Sequence, residues 1–543
     1  MTAARALGTT LARLGVRHVF GVVGSGNFHV TNALVASGAR FVAARHEGGA
    51  ATMADAYSRM SGTVAALSVH QGCGLTNAMT GIAEAAKSRT PMLVLAADVT
   101  EKRSNFYVDQ DALANSVGAI ALRLESGDDA AAMAARAYHL ARDERRTVVL
   151  NLPLAVQAVS ATDATVEEQP RPPEPRPDGA GLARLVDALT HAERPVFIAG
   201  RGGRAPGAGE ALLELGDACG ALLATSAVAK GLFHGSPWAL DVSGGFASPL
   251  AAQLIRDADV VVGWGCALNM WTTRHGNLIG PDATVVQVDV DADALGAQRR
   301  IAFGVVGGVT ATARAATTAI TEERTGYRSE RVRADIHDGI RWRDVGYDDT
   351  SRDERIDPRT LTIALDDMLP AERVVGVDSG NFMGYPSMFL SVPDENGFCF
   401  TQAFQSIGLG LSTAIGAALA QPDRLPVAAL GDGGALMSIA ELDTVRRLGL
   451  PMVVIVYNDD AYGAEVHHFG PDGFDLSTVR FPPTDIAAIA RGFGCDAVTV
   501  TRVDDLAAAQ TWLDGARDRP LLIDAKVTAD RGSWWLEEAF RGH

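Results

Sequence analysis

The chain has 543 residues, a formal net charge of −17, 47% hydrophobic residues and 57 glycines. That length exceeds one hydrophobic core, so several domains are expected, and the acidic balance excludes a nucleic-acid binder, which needs a basic face. Five scattered cysteines (Cys73, Cys219, Cys266, Cys399, Cys495), with no CxxC and no metal spacing, read as reduced, mostly buried thiols of a cytoplasmic protein.

The opening stretch, MTAARALGTTLARLGVRHVFGVVG, reads as an amphipathic helix running into a strand, without the apolar region and cleavage site of a signal peptide. No apolar run approaches the ~18–20 residues needed to cross a membrane. Short apolar runs then alternate with Ala-rich helical patterns, as in parallel α/β units. RHVFGVVG, GTVAALSVH, TPMLVLAAD and RRTVVLNLP supply the strands of a first unit, 1–164. The Pro- and charge-rich stretch TVEEQPRPPEPRPDG, 165–179, reads as a linker. A second unit, 180–320, carries RPVFIAG, ADVVVGWG and ATVVQVDVD, and a charged junction follows it. A third unit, 355–543, carries ERVVGVDSG, LPVAALGDGG, PMVVIVYNDD and RPLLIDAKV. The expected fold class is α/β, with three consecutive open parallel-sheet domains.

In the third unit a strand ends in VVIVYNDDAYG, 453–463. Asn, Asp and Gly are also the ordinary residues of a solvated turn, so the acids need a partner to mean more. VAALGDGGALM puts Gly431, Asp432, Gly433 and Gly434 at another strand end, before the helical pattern SIAELDTVRRL. Ligands of open parallel sheets sit at the carboxyl ends of strands. Glycines there admit backbone amides to a diphosphate, and the helix N-terminus adds its positive end. Asp432 and Asp459 lie 27 residues apart across one helix, so a right-handed β-α-β unit would set them side by side. Two carboxylates, a backbone carbonyl and diphosphate oxygens make a hard, all-oxygen Mg²⁺ site.

GDGG followed at this spacing by Asn-Asp resembles the thiamine diphosphate motif. The resemblance implies that Asp432, Asp459 and the Ala461 carbonyl bind Mg²⁺, with Asn381, Gly431, Gly433, Gly434, Tyr462 and Gly463 around the cofactor. RHEGGAATMADAYSRMSG, 45–62, is similar to a second family segment, with Ala56 in place of the usual Gly. By that resemblance Glu47, which alone would read as a helix cap, pairs with N1′ of the cofactor's aminopyrimidine. A carboxylic acid buried among apolar groups keeps a proton to share. Nearly the whole chain resembles the acetohydroxyacid synthase-like branch, through VFGVVGSGN, VHQGCGLTNAMTGIAEAAKSRTPMLVLAAD and SIGLGLSTAIGAALAQPDR. Ile407, 25 residues before Asp432, falls where the family places an apolar wedge under the cofactor. Without the alignment it would be ordinary core in an Ala/Gly-rich helix.

The chain departs from that branch in three places. Gly72-Cys73-Gly74 stands for the usual GPG, Ser412 for a Pro, and GWGCALNMWTTRHG for the run associated with flavin, so FAD is not expected. AGRGGRAPGAGE has glycines after a strand but no acid placed for a ribose. His70 matches an active-site histidine of benzoylformate decarboxylase, and Glu465 is spaced like the active-site glutamate of pyruvate decarboxylase. Gln110 falls near a Gln-Glu pair of the synthases, and His467 and His468 follow the metal loop. Each also reads as a polar loop residue; together they suggest proton transfer.

The resemblance implies a thiamine diphosphate- and Mg²⁺-dependent enzyme that decarboxylates a 2-keto acid and ligates the product to a second carbonyl compound. Alternatives are a simple 2-keto acid decarboxylase, a non-catalytic thiamine diphosphate-binding subunit and a nicotinamide dehydrogenase. Neither nucleic acid nor membrane is an expected partner. A homodimer or homotetramer is expected, because in the family one cofactor bridges the first and third domains of different subunits.

Overall fold

A computed structural model describes residues 1–162, 166 and 169–539. Among the described residues, eighteen strands form three six-stranded sheets in which all neighbours are parallel. The first holds β1 (His18–Gly21), β2 (Arg40–Ala43), β3 (Ala65–Val69), β4 (Met92–Asp98), β5 (Ile120–Arg123) and β6 (Thr147–Pro153). The second holds β7 (Pro195–Ala199), β8 (Leu222–Thr225), β9 (Ala239–Val242), β10 (Val260–Trp264), β11 (Thr284–Asp289) and β12 (Phe303–Val306). The third holds β13 (Arg373–Val377), β14 (Phe398–Phe400), β15 (Leu425–Gly431), β16 (Val453–Asn458), β17 (Asp496–Val500) and β18 (Leu521–Lys526). Helices cover both faces, so central strands such as β4, β10 and β16 are buried at every residue, the condition under which parallel strands become continuous apolar runs. The expected three-sheet α/β class is borne out.

The first and third sheets repeat one order, β2-β1-β3-β4-β6-β5 and β14-β13-β15-β16-β18-β17. The second runs β12-β11-β10-β7-β8-β9, reversing direction between β7 and β10 as in a doubly wound nucleotide fold. The first and third sheets share one hydrophobic core, because helix Glu47–Ser61 lies against helix Gly410–Ala420. The approach is close: a methyl group at Gly416 would sit 2.3 Å from the Met53 carbonyl oxygen.

The expected linker 165–179 lies partly outside the described residues, as do the expected ends at 164 and 543. Its described part, 169–178, has no regular structure yet is pinned to the central unit, where Gly308 N–H donates to the Pro175 carbonyl at 2.7 Å. The charged junction holds an unexpected helix, Glu330–Gly339, capped by the Ser329 side chain and burying Val332 and Ile336. No helix among the described residues is long and apolar enough to cross a membrane. All five cysteines are free, four buried and Cys73 exposed.

Candidate active site

β15 and β16 are neighbours, with Gly431 opposite Tyr457. β15 stops at Gly431, and Asp432 begins helix Asp432–Ser438. β16 stops at Asn458, and its three polar residues then take different directions. Asn458 turns into the sheet, its Nδ2 donating to Asp524 Oδ1 at 2.8 Å. Asp460 takes a left-handed φ of 56° and pairs with Arg355, which also donates to the Val527 carbonyl at 2.9 Å. Asp459 comes within hydrogen-bonding reach of Asp432. Burial, and then the Asp459 charge, hold the Asp432 carboxyl far above the usual carboxylate range; burial also raises Asp459. Two facing buried carboxyls of this kind call for a cation.

The next residues supply another oxygen. Tyr462 N–H donates to the Val479 carbonyl and Phe481 N–H to the Asp460 carbonyl, both at 2.9 Å. This antiparallel bridge of Ala461 with Arg480 turns the Ala461 carbonyl out of the ladder. Two carboxylates and a carbonyl are the hard oxygen donors that Mg²⁺ takes. Among the described residues no group of three or more His, Cys, Asp or Glu could hold a metal. A cation at this place therefore needs oxygens from a bound molecule as well, and the donor set fits a metal diphosphate.

The glycines are required by the walls around these acids. A methyl at Gly463 would lie 2.3 Å from Asp459 Oδ2, one at Gly433 2.6 Å from the Tyr462 ring, and one at Gly434 2.1 Å from Asp378 Oδ2. Gly431 packs on the Phe382 ring, and the Tyr462 ring meets Phe481 edge-on at 4.9 Å. Asn381 Oδ1 accepts from Ser533 N–H at 2.8 Å, and its carbonyl accepts from Ser533 Oγ at 2.6 Å, fastening the chain's end to this rim.

The first unit gathers a second cluster. Glu47 opens helix Glu47–Ser61, and its Oε2 accepts from Asn77 Nδ2 at 3.1 Å. Gly74 sits between Glu47 and His70: a methyl there would lie 3.6 Å from Glu47 Oε1 and 3.1 Å from His70 Cβ. The His70 ring stacks on Phe106 at 5.4 Å, and its buried Nδ1 has no partner. The strand-to-helix turn is tied to the third unit by Glu441 Oε1, which accepts from Arg45 and His46 N–H at 3.0 and 3.1 Å. Among the described residues no hydrogen bond or ion pair joins the Glu47 cluster to the Asp432–Asp459 cluster.

Comparison with known proteins agrees with both clusters. Three family models match in order: the thiamine pyrophosphate enzyme N-terminal TPP binding domain over 1–122, the central domain over 182–316 and the C-terminal TPP binding domain over 378–525. The chain belongs to the thiamine pyrophosphate enzymes. Among similar proteins, a sulfoacetaldehyde acetyltransferase of Castellaniella defragrans is 27% identical over 94% of this chain and 90% of its own. A probable 2-ketoarginine decarboxylase of Pseudomonas aeruginosa is 29% identical over 93% and 90%. An acetolactate synthase isozyme 2 large subunit of Escherichia coli is 25% identical over 96% and 95%.

Within this thiamine pyrophosphate enzyme, the structure qualifies the expectations for Glu47, Ile407, Gln110, Glu465 and His468. Glu47 is half-buried, with the polar amide of Asn77 as its hydrogen-bond partner, and so is not enclosed by apolar groups alone. Ile407 lies in a turn before helix Gly410–Ala420, not in a helix. Gln110 is 1% exposed and engaged at both ends of its amide: Oε1 accepts from Gly72 N–H at 2.9 Å, while Nε2 donates to the Ala97 carbonyl and Asn151 Oδ1. Its place fits positioning of the Gly72 turn. On helix Gly463–Phe469, Glu465 is exposed and His468 packs on Phe469 at 4.5 Å. His467 instead carries a buried, unpartnered Nε2, and burial pulls its pKa below the usual histidine value.

Asp378 was missed by the sequence reading. It is fully buried at the end of β13, where its carboxylate accepts from Ser379, Gly408 and Leu409 N–H at 2.8, 3.0 and 3.1 Å. It thereby fixes the turn that carries Ile407 against Gly434. The signal was available, since VVGVDSG ends a strand in Asp just as VAALGDGG does.

Proposed function

We propose that the protein uses thiamine diphosphate and Mg²⁺ to decarboxylate a 2-keto acid and join the remaining fragment to a second carbonyl compound. The observation that carries the reading is the buried Asp432–Asp459 pair beside the outward Ala461 carbonyl, a donor set that suits a metal diphosphate. Thiamine diphosphate, when bound, supplies the carbon nucleophile and accepts the electrons released with carbon dioxide. In this reading Asp432 and Asp459 neutralise and orient the metal, Tyr462 and Asn381 wall the site, and Ile407 supports the cofactor from below. Glu47 holds a proton against the aminopyrimidine. Large hydrophobic residues are exposed on both the first and third units, with Phe28 52%, Phe404 45% and Met437 56% exposed. Such a surface supports a homo-oligomer whose subunits complete each other's sites.

Ligation is supported by the likeness along nearly the whole chain to an acetolactate synthase large subunit. The second reading is a simple decarboxylase, favoured by His70, whose unpartnered Nδ1 is a ready proton donor or acceptor. Mass spectrometry of products from pyruvate and a panel of 2-keto acids, with and without added aldehyde or ketone acceptors, separates them. The proposal expects a product containing both carbon skeletons. Free aldehyde as the sole product with every acceptor would transfer the assignment to the decarboxylase.

A further inference from the structure

Segment 401–409 joins β14 to helix Gly410–Ala420 and carries Ile407. It forms neither helix nor strand, and it is held at both ends by carboxylates from different units. Asp378 of the third unit accepts from Gly408 and Leu409 N–H at 3.0 and 3.1 Å. Glu84 of the first unit takes the other end. Its Oε1 accepts from Ala403 N–H at 3.0 Å and its Oε2 from Phe404 N–H at 2.6 Å. Lys87, one turn on along the same helix, Cys73–Lys87, sets its Nζ 5.5 Å from the centre of the Phe404 ring. Between the two clamps lie Gln405, Ser406 and Ile407, and Gln405 takes a left-handed φ of 59°.

Glu84 is fully buried, and a carboxylate is kept in such a place only when it is paired and hydrogen-bonded. Its Oε1 also accepts from Arg59 Nη2 at 2.8 Å and from Ser88 Oγ at 3.1 Å. Burial works to raise its pKa, but Arg59 and the two N–H groups outweigh burial and hold the carboxyl below the usual glutamate value. Arg59 is itself fixed. Its Nε and Nη2 donate to Asp55 at 2.8 and 2.6 Å, and its Nη1 donates at 2.9 Å to the Phe400 carbonyl, just before the segment starts. Arg59 and Asp55 would balance each other without a second acid. The extra carboxylate is accounted for by what it holds, the two N–H groups at the head of the segment that bears Ile407.

We propose that Glu84 is a positioning residue that acts through Ile407: with Asp378 it sets where Ile407 stands beneath the cofactor. The proposal rests on the supporting role given to Ile407 above. A segment held only at Gly408 and Leu409 would pivot about that end, and a misplacement of about 1 Å can slow a reaction about 10²-fold.

Glu84→Gln tests this. Among the described residues every hydrogen-bond partner of Glu84 is a donor, so the glutamine NH₂ must face one of them, while the Arg59–Asp55 pair left behind is neutral. In protein without cofactor, amide hydrogen exchange over 401–409 is expected to speed up about tenfold or more, as for lost charge-assisted hydrogen bonds. In protein saturated with thiamine diphosphate and Mg²⁺, exchange at cofactor C2 is expected to slow about tenfold or more. Cofactor affinity is expected to stay within a few-fold, because Asp432 and Asp459 are untouched. Ile407→Ala is expected to slow C2 exchange too, and the double variant to be no slower than the slower single one. E84D keeps the charge but shortens the reach; it is expected to act in the same direction and decides the case if E84Q does not fold. Unchanged amide exchange over 401–409 overturns the proposal. So does a lowered melting temperature with C2 exchange at the wild-type rate, or a double variant whose effects multiply; each leaves the reaction assigned above standing. Wild-type C2 exchange in I407A overturns the role of Ile407 and the proposal together.

Discussion

Glu47 separates holding the cofactor from activating it. Glutamine keeps the shape of the side chain and can still accept from Asn77, but it has no acid proton to share with the aminopyrimidine. Glu47→Gln is expected to leave thiamine diphosphate affinity within a few-fold while slowing hydrogen–deuterium exchange at cofactor C2 by about 10²–10⁴-fold, the usual span for a lost acid–base group. Wild-type exchange in this variant would falsify the role given to Glu47. Asp459→Ala acts on the metal instead. It leaves Asp432 buried without its neighbour, and cofactor affinity in Mg²⁺ is expected to drop by more than the about 10–100-fold typical of lost outer-shell partners. Calorimetry in Mg²⁺ and in EDTA reads this directly; equal affinities for wild type and variant in Mg²⁺ would remove Asp459 from the metal site.

Asp378 offers a pH test. Its carboxyl is raised to about 6 by burial, against the lowering effect of its backbone N–H donors. A raised pKa means that the folded state prefers the proton, so the group's contribution to stability is full below the ordinary value near 3.8 and declines as pH rises through about 6. The stability of wild type relative to Asp378→Asn should therefore fall by about 3 kcal/mol across that window. Paired denaturant titrations at several pH values measure it, and a gap that widens with pH would contradict the assignment. VVGVDSG marks Asp378 only as an acid at a strand end, as VAALGDGG marks Asp432. Its role rests on Gly408 and Leu409, some thirty residues away, which come to it only through the fold.

At the scale of elements, the packing of helix Glu47–Ser61 on helix Gly410–Ala420 sets where Glu47 stands. Gly416→Ala would drive a methyl into the Met53 carbonyl, which backbone cannot yield cheaply. A loss of about 1–3 kcal/mol is expected, read as a lower melting temperature together with slower cofactor C2 exchange as Glu47 is displaced. An unchanged melting temperature would mean that the helices separate at no cost. The elements themselves were unevenly legible. The eleven strands read from apolar runs are the interior ones, such as β4, β10 and β16, buried at every residue. All six edge strands escaped, along with β8, which lies next to an edge. Edge strands bury less; β5 has no fully buried residue and β17 only Val500, so their sequences carry little of the pattern on which a strand is recognised. Helix Glu330–Gly339 escaped because its charges outnumber the two residues, Val332 and Ile336, that anchor it.

At the scale of the molecule, two half-sites in one chain, with large apolar side chains exposed on both of the units that carry them, predict an obligate oligomer. Mass photometry at nanomolar concentration is expected to show dimers or tetramers when cofactor is present. Fully active monomers would show instead that one chain closes its own site.

The sequence by itself set Asp432 and Asp459 at two strand ends joined by one β-α-β connection, which chain geometry leaves little freedom. The role expected of Glu47 came from the family resemblance and not from its local pattern. The three parallel sheets were legible because strands buried on both faces must be apolar throughout. Only the tertiary structure decided which polar residues face the site and which serve the scaffold. It turned Asn458 into the sheet, committed Gln110 to Gly72, exposed Glu465 and left Nε2 of His467 buried without a partner. Side-chain direction and long-range charge are set by contacts between segments far apart in the chain, and no local pattern encodes them.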